Sequence, residues 1–144
     1  MNPNNQTQTN PSTMYPPQAQ NTLNITDQDK EMLSKVMVIR SVGILHPISP
    51  IEYNIQARAI EKTILHLHGV TKTVEDIGVK TIDKVDIEQG IFFGNVKIVH
   101  MDQSEIHIDS ISKSNAINIK NFFEQVIDFQ RRNVGYWGLI YFTT

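Results

Sequence analysis

Gly90 and Gly94 are spaced like the glycines of a phosphate-binding loop, in the stretch "VKTIDKVDIEQGIFFGNVKI". A Walker-type loop also needs Lys and then Ser or Thr after its second Gly, so that amides, ammonium and hydroxyl converge at a helix start. Here Gly94 precedes Asn95 and a β-branched run typical of a strand. We therefore predict no phosphate site. Gly90 and Gly94, like Gly69 and Gly78, are expected to mark structural turns.

The histidines are the residues best suited to bind a metal. His66 and His68 are two residues apart on a segment with strand character, and His100 and His107 fall on a predicted hairpin. If those strands were neighbours, three imidazoles could converge on zinc and leave an open position. No pattern in the sequence brings them together, and no carboxylate is spaced as a further ligand. We favour histidines on a solvated strand face, and predict no metal and no cofactor.

The motifs that announce an enzyme are missing. There is no Gly-x-Ser-x-Gly elbow, no His-Glu-x-x-His helix and no cysteine. The acidic residues of the middle region are scattered along turns and a strand, where alternating charge normally keeps one face wet: Glu75, Asp76, Asp83, Asp86 and Glu88. We predict no catalytic residues and a non-enzymatic protein.

Two apolar segments are candidates for contact with a partner. The first is Ile91, Phe92 and Phe93, which either turn into the core or form an exposed knob; burial is favoured. The second lies in the C-terminal stretch "RRNVGYWGLIYFTT", which forms an added edge strand or a lid on the core, or touches a bilayer; the packed alternative is favoured, because so short a segment buries too little area for stable anchoring. The candidate interaction surface comprises Ile91, Phe92, Phe93, Tyr136, Trp137, Tyr141 and Phe142.

Composition narrows the functional classes. With 144 residues and 40% hydrophobic content, the chain suits one domain with a real core. A formal net charge of -2 gives no strong field to collect nucleic-acid phosphates, so no nucleic-acid partner is predicted. The absence of cysteine fits a reducing compartment, no segment resembles a secretory signal, and no apolar run reaches membrane-spanning length. We expect a cytoplasmic protein, with peripheral membrane contact as the open alternative.

The N-terminal part divides into two regions. Residues 1–25 are rich in Asn, Gln, Thr and Pro and are predicted to form a disordered arm. Thr26 or Asp27 then caps a helix start, but the β-branched run from Val36 to Ile39 also fits a strand, so residues 27–45 are predicted as helix or strand. The domain is expected to cover 26–132, followed by an aromatic tail at 133–144.

The rest of the chain predicts consecutive antiparallel strands and one closing helix. From Ile51 the residues alternate along a strand that continues through "AIEKTILHLHG", with a change of phase between Ala59 and Ile60. In "NVKIVHMDQSEIHID", a loop at 102–104 would pair Ile98 with Ile108 and Lys97 with Asp109. After a cap at Ser112 or Ser114, a helix carries an apolar stripe formed by Ile119, Phe122, Phe123, Val126 and Ile127. This order predicts an α+β, mostly β fold.

Residues 51–130 resemble the bacterial pleckstrin-homology-like domain. The resemblance is carried by "YNIQARAIEKTI", "VEDIGVKTIDKVDIEQG", "GNVKI", "VHMDQSEIHI" and "NFFEQVIDFQRR" in that order. It implies a strongly bent antiparallel sheet or split barrel capped by the C-terminal helix. One departure is the short link "GIFFG", where the family usually has a longer Leu- and Gly-rich connection.

The resemblance, together with the missing catalytic motifs, implies a bacterial binding or scaffolding module. Its partner would be a protein, a peptide or the chain itself, bound at an edge strand or in the groove beside the closing helix. The alternative is a peripheral membrane module that uses the aromatic tail. Eukaryotic relatives bind phosphoinositides with several basic residues after their first strand, whereas here Lys72 is followed by Glu75 and Asp76, so phosphate capture is expected to be weak.

Overall fold

The computed structural model describes residues 25–42, 49–67, 70–135 and 137. They form an α+β fold of two antiparallel sheets and two helices. The elements are α1 (Asp27–Ser34), β1 (Met37–Arg40), β2 (Ile51–Ile55), β3 (Ala59–His66), β4 (Thr71–Gly78), β5 (Ile82–Gln89), β6 (Phe93–His100), β7 (Glu105–Ser112) and α2 (Lys113–Arg132). Sheet A has the order β1-β2-β3-β4 and sheet B the order β5-β6-β7.

The segment after the N-terminal arm holds both of the structures that its sequence allowed. Thr26 caps α1: its side chain accepts from the Asp29 amide, and the Asp29 carboxylate accepts from the Thr26 amide. This reciprocal box starts a short helix, and the β-branched residues that follow form strand β1. Ile25 packs against the core, whereas residues 1–24 and 43–48 lie outside the described residues.

The long strand predicted from Ile51 is wrong, because the chain turns back within it. Strands β2 and β3 are antiparallel neighbours with Ile55 opposite Ile60, and the Gln56 amide donates to the Ala59 carbonyl across the turn. The turn contains none of the Gly, Pro, Asn or Asp residues that usually announce one. The predicted change of phase at Ala59 and Ile60 marks the start of the second strand.

The β6–β7 hairpin exists, but its predicted register is also wrong. Ile98 lies opposite Ile106, not Ile108, and Lys97 lies opposite His107, not Asp109. The turn begins earlier than expected, with the His100 amide donating to the Ser104 carbonyl. A two-residue slip leaves every side chain on the same face, and Ile106 and Ile108 are both buried, so apolar pattern alone cannot separate the two registers.

The two sheets meet at a bulge in β7. Ser110 has φ +60, and its carbonyl accepts from the Val42 amide at the end of β1. Its neighbour Asp109 donates its amide to the Tyr53 hydroxyl of sheet A. Burial raises the pKa of Tyr53, so this phenol is neutral. The described residues form no closed barrel.

Helix α2 covers sheet B as its stripe predicted. Ser112 is the cap, and the five predicted residues are buried together with Ala116, Phe129 and Gln130. Its Gln130 amide binds the segment between the sheets: Oε1 accepts from the Ile82 amide, and Nε2 donates to the Lys80 carbonyl. One continuous core therefore joins both sheets and both helices. Among the described residues, no helix is long and apolar enough to cross a membrane.

Candidate interaction surface

Strand β4 is the most exposed regular element of the described chain. It is the last strand of sheet A, and all of its residues are exposed except the half-buried Ile77. Val74 is 46% exposed, and Leu67 and Val70 at the end of the β3–β4 hairpin are more exposed still. A long strand exposed on both faces and at its edge is a site for pairing with another chain.

The direction of the backbone groups of β4 follows from hydrogen bonds at both ends of β3. The Leu65 amide donates to the Pro50 carbonyl, and the Ala59 carbonyl accepts from the Gln56 amide. The backbone N–H and C=O groups of the odd-numbered residues of β3 therefore point toward β2. Its even-numbered residues therefore face β4, where they lie opposite odd-numbered residues such as Ile77. Consistently, the Val79 amide donates to Arg58 at 2.8 Å. The backbone groups of Lys72, Val74 and Asp76 consequently point outward, and we call these three residues the β4 edge.

The charges of β4 are only partly matched by its own sheet. Glu75 lies opposite Lys62, a complementary pair of positions. Asp76 instead lies opposite Glu61, and Lys72 lies opposite Leu65. Neither Lys72 nor Asp76 takes part in an ion pair with the described residues. The edge thus carries one cation and one anion with no local partner.

The β5–β6 turn presents a second apolar feature. Ile91 is 81% exposed and Phe92 73%, so the expectation that they pack in the core is wrong, whereas Phe93 is half-buried. The Gly90 amide donates to Phe93, and the Lys113 amide at the start of α2 donates to Phe92. Ile91 and Phe92 therefore project from a well-fixed turn, and we call this pair the apolar knob.

The C-terminal stretch divides into a packed part and an undescribed part. Trp137 is only 4% exposed; its indole N–H donates to the Val79 carbonyl at 2.9 Å, and its ring contacts Phe129 edge-on. Trp137 thus packs in the core, as the favoured alternative for this stretch expected, and it does not contribute to an exposed interaction surface. Tyr136, Tyr141 and Phe142 lie outside the described residues.

The predicted turn glycines have different places. Gly78 ends β4 and Gly90 lies in the β5–β6 turn, whereas Gly69 lies outside the described residues. Gly94 is a buried strand residue of β6 and not part of the turn. A Cβ at this position would lie 3.0 Å from the Ala116 Cβ, so its glycine lets α2 approach sheet B closely.

The three histidines in the described part of the chain lie in separate surroundings. His66 contacts Thr73 on sheet A, His107 pairs with Glu105 on sheet B, and His100 is buried; His68 lies outside the described residues. In the described part of the chain, no group of three or more His, Cys, Asp and Glu residues is arranged to hold a metal. Of the scattered acids, Asp86 and Glu88 line one cavity of about 330 Å³ together with Asp109 and His107, and Asp83 lines another.

The groove beside the closing helix carries several charged side chains. It lies between α1 and α2, with a volume of about 610 Å³, and its walls include Asp29, Glu124, Asp128 and Arg132. Arg132 is engaged on both sides, by the Asp29 carboxylate at 2.7 and 3.1 Å and by Asp128 at 2.9 Å. These hydrogen bonds lower the pKa of Asp29 to about 2. Its other lining residues are Thr26, Gln28, Met32 and Gln125, so the groove combines charged, uncharged polar and apolar side chains.

The fold and this surface define an α+β protein with an exposed edge strand. No protein-family model, curated protein or solved structure matches the chain. The sequence patterns assigned no strand to residues 71–78, so the β4 edge was not predicted. The available signal was the run "TKTVEDI", where charged residues flank Val74 without the apolar alternation of a half-buried strand.

Proposed function

We propose that this chain is a non-enzymatic binding module of pleckstrin-homology-like architecture that takes up a strand from a protein partner along the β4 edge. The partner is a peptide segment of another protein or a second copy of the chain. Four strands, then three strands, then a covering helix is the element order that supports the architectural part of the proposal.

The observation that carries the binding proposal is the exposure of β4 together with its outward backbone groups. Strand addition obtains affinity from main-chain hydrogen bonds and specificity from alternate side chains. The β4 edge supplies both, with an apolar residue between two opposite charges. At the other end of sheet A, the chain just after β1 is hydrogen-bonded to sheet B, with the Val42 amide donating to the Ser110 carbonyl.

The test uses a substitution that blocks the edge without breaking sheet A. Val74→Pro removes an outward N–H, so it costs no hydrogen bond to β3, whereas Val74→Thr keeps the N–H and serves as the control. Proteins retained by the full chain from the lysate of its source cells are identified, purified and titrated against both variants by calorimetry. We expect at least a tenfold loss of affinity for Val74→Pro only. Equal binding by both variants and wild type would disprove strand addition at this edge.

A second candidate function is peripheral membrane contact through the apolar knob. Its supporting observation is the exposure of Ile91 and Phe92 on a fixed turn. Flotation with phosphatidylcholine and phosphatidylglycerol vesicles tests it: the double variant Ile91→Ser/Phe92→Ser should stay with the unbound protein, while wild type floats. Truncation after Arg132 is a poor variant, because it removes Trp137 from the core. Tyr141→Ser/Phe142→Ser examines the tail instead, and no flotation of wild type excludes both.

A further inference from the structure

The sequence of the β4 edge is complementary to itself when two copies run antiparallel. If Val74 of one copy lies opposite Val74 of a second copy, Lys72 of each copy lies opposite Asp76 of the other, because both residues are two positions from Val74. Thr73 then lies opposite Glu75, and Val70 lies opposite Gly78, which has no side chain to obstruct it. Opposite charges directly across an antiparallel pair stabilise it, and like charges destabilise it.

The backbone directions permit this register. Because Lys72, Val74 and Asp76 all point their N–H and C=O groups outward, each pair formed in this register joins two outward residues and exchanges two backbone hydrogen bonds. Shifting one copy by two residues keeps the hydrogen bonding but loses the charge match. One such shift places Glu75 opposite Glu75, and the other places Lys72 opposite Val74.

The charges paired in this register, Lys72 and Asp76, are two that form no ion pair with the described residues. Asp76 lies beside Glu61 of its own β3, so Lys72 from a second copy would neutralise a local excess of negative charge. Lys72 lies opposite the half-buried Leu65 and would gain a carboxylate partner that the described residues do not supply. Val74, which is 46% exposed, would be covered by its own equivalent.

We propose that the occupant of the β4 edge is a second copy of this chain, bound antiparallel about a two-fold axis at Val74. This proposal rests on the proposed function and specifies its partner. The dimer has an isologous interface and one continuous sheet, to which each copy contributes the four strands of sheet A. Pairing both exposed edges with each other also removes the site at which other chains would add.

The experiment measures the monomer–dimer equilibrium of the full chain by sedimentation over a range of protein concentrations. Lys72→Asp and Asp76→Lys each create two like-charge pairs and should weaken the dimer by about tenfold or more. The double variant Lys72→Asp/Asp76→Lys restores opposite charges at both positions and should return the dissociation constant to within about threefold of wild type. Melting curves of each variant confirm that the fold is retained.

Glu75→Lys is the matched control, because it changes the net charge as Asp76→Lys does. In the proposed register Glu75 lies opposite Thr73, so its reversal should change dimerisation much less. In the register that places Glu75 opposite Glu75, a mixed dimer of wild type and Glu75→Lys would replace this like-charge pair by an opposite-charge pair. Such a mixed dimer would be tighter than the wild-type dimer. Hydrogen exchange should show concentration-dependent protection of the amides of Lys72, Val74 and Asp76.

Three results would overturn self-pairing: a monomer at all concentrations, a dimer insensitive to both single reversals, or a double variant that stays as weak as the singles. The Val74→Pro test then distinguishes a failure of self-pairing from a failure of the proposed function. A monomeric chain whose partner is lost by Val74→Pro keeps strand addition and loses only the second copy. A chain that neither dimerises nor binds a partner through this edge loses both.

Discussion

His100 shows how one buried side chain fixes its own protonation. The Ser104 hydroxyl donates its proton to Asp102 at 2.6 Å, so it must accept from the Nδ1–H of His100 at 2.8 Å. In the neutral ring Nε2 then carries no proton. This atom is buried and has no hydrogen-bond partner among the described residues. Burial lowers the pKa of His100 below 6.5; nearby Asp102 opposes this effect and Lys80 adds to it. We infer a structural histidine whose neutral form is favoured by burial.

We predict that His100 makes the fold sensitive to mild acid. Its folded pKa lies below the unfolded value of 6.5, so the unfolded chain binds more protons as the pH falls through that value. The free energy of unfolding should therefore fall between pH 7.5 and 5, and His100→Leu should reduce that fall. Urea unfolding at both pH values measures it. An identical loss in wild type and variant would contradict a buried neutral imidazole.

An ion pair between distant parts of the sequence joins the two helices. Two guanidinium nitrogens of Arg132 donate to the Asp29 carboxylate, and the side chain of Asp29 is only 10% exposed. The same contact strengthens the α1 cap, because the Asp29 carboxylate also accepts from Thr26. Losing the arginine would leave a largely buried carboxylate without its cation, which costs more than losing a surface pair.

Arg132→Met should therefore destabilise the chain at pH 7, by about 1.5 to 3 kcal/mol. The pKa of Asp29 is lowered from 3.8 to about 2, so its contribution is present above pH 4 and is lost as the pH falls toward 2. The difference between wild type and variant should accordingly narrow at pH 2. Arg131→Met, at an exposed neighbouring position, is the control. Urea unfolding at both pH values decides, and equal stabilities of the two variants at pH 7 would refute the role of this pair.

At the scale of elements, Gly94 sets the distance between α2 and sheet B. A methyl group there meets Ala116 at 3.0 Å and the Glu88 carbonyl at 3.4 Å. Gly94→Ala should lower the free energy of unfolding by about 1 to 3 kcal/mol, because helix or strand must shift. Gly90→Ala is the control, since its added Cβ would make only an ordinary contact with the Phe93 carbonyl. Thermal melts compare the two. Equal melting temperatures would mean that α2 does not depend on this close approach.

Sequence patterns predict the elements better than their connections. The spacing of Ile119, Phe122 and Val126 identifies α2, because a 3.6-residue period is unambiguous over a long helix. The turn at 56–59 was missed because it uses residues without turn preference, and the β6–β7 register because Ile106 and Ile108 are interchangeable partners. The pair Asp29–Arg132 spans 103 positions, and no local pattern reports such a contact. The β4 edge depends on strand order, which a single sequence does not specify.

At the scale of the whole molecule, the two sheets are held at opposite ends. At one corner of the molecule the Ser110 carbonyl accepts from the Val42 amide. At the second corner the Gln130 side chain of α2 accepts from the Ile82 amide and donates to the Lys80 carbonyl. Trp137 reinforces the second corner by donating to Val79. This arrangement leaves β4 on the side of sheet A farthest from its link to Ser110, which explains how a strand can stay exposed on both faces while the rest of the chain shares one core.

Gln130→Met tests whether the hydrogen bonds of the Gln130 side-chain amide couple the two sheets. The substitution preserves apolar bulk but removes the acceptor of the buried Ile82 amide, and an unpaired buried polar group costs about 1 to 3 kcal/mol. We expect a lower free energy of unfolding in urea and faster hydrogen exchange at Ile82. Gln125→Met, on the exposed face of α2, should change neither. If Gln130→Met unfolded at the same urea concentration as Gln125→Met, the closure of this corner would have to come from Trp137 and the apolar core alone.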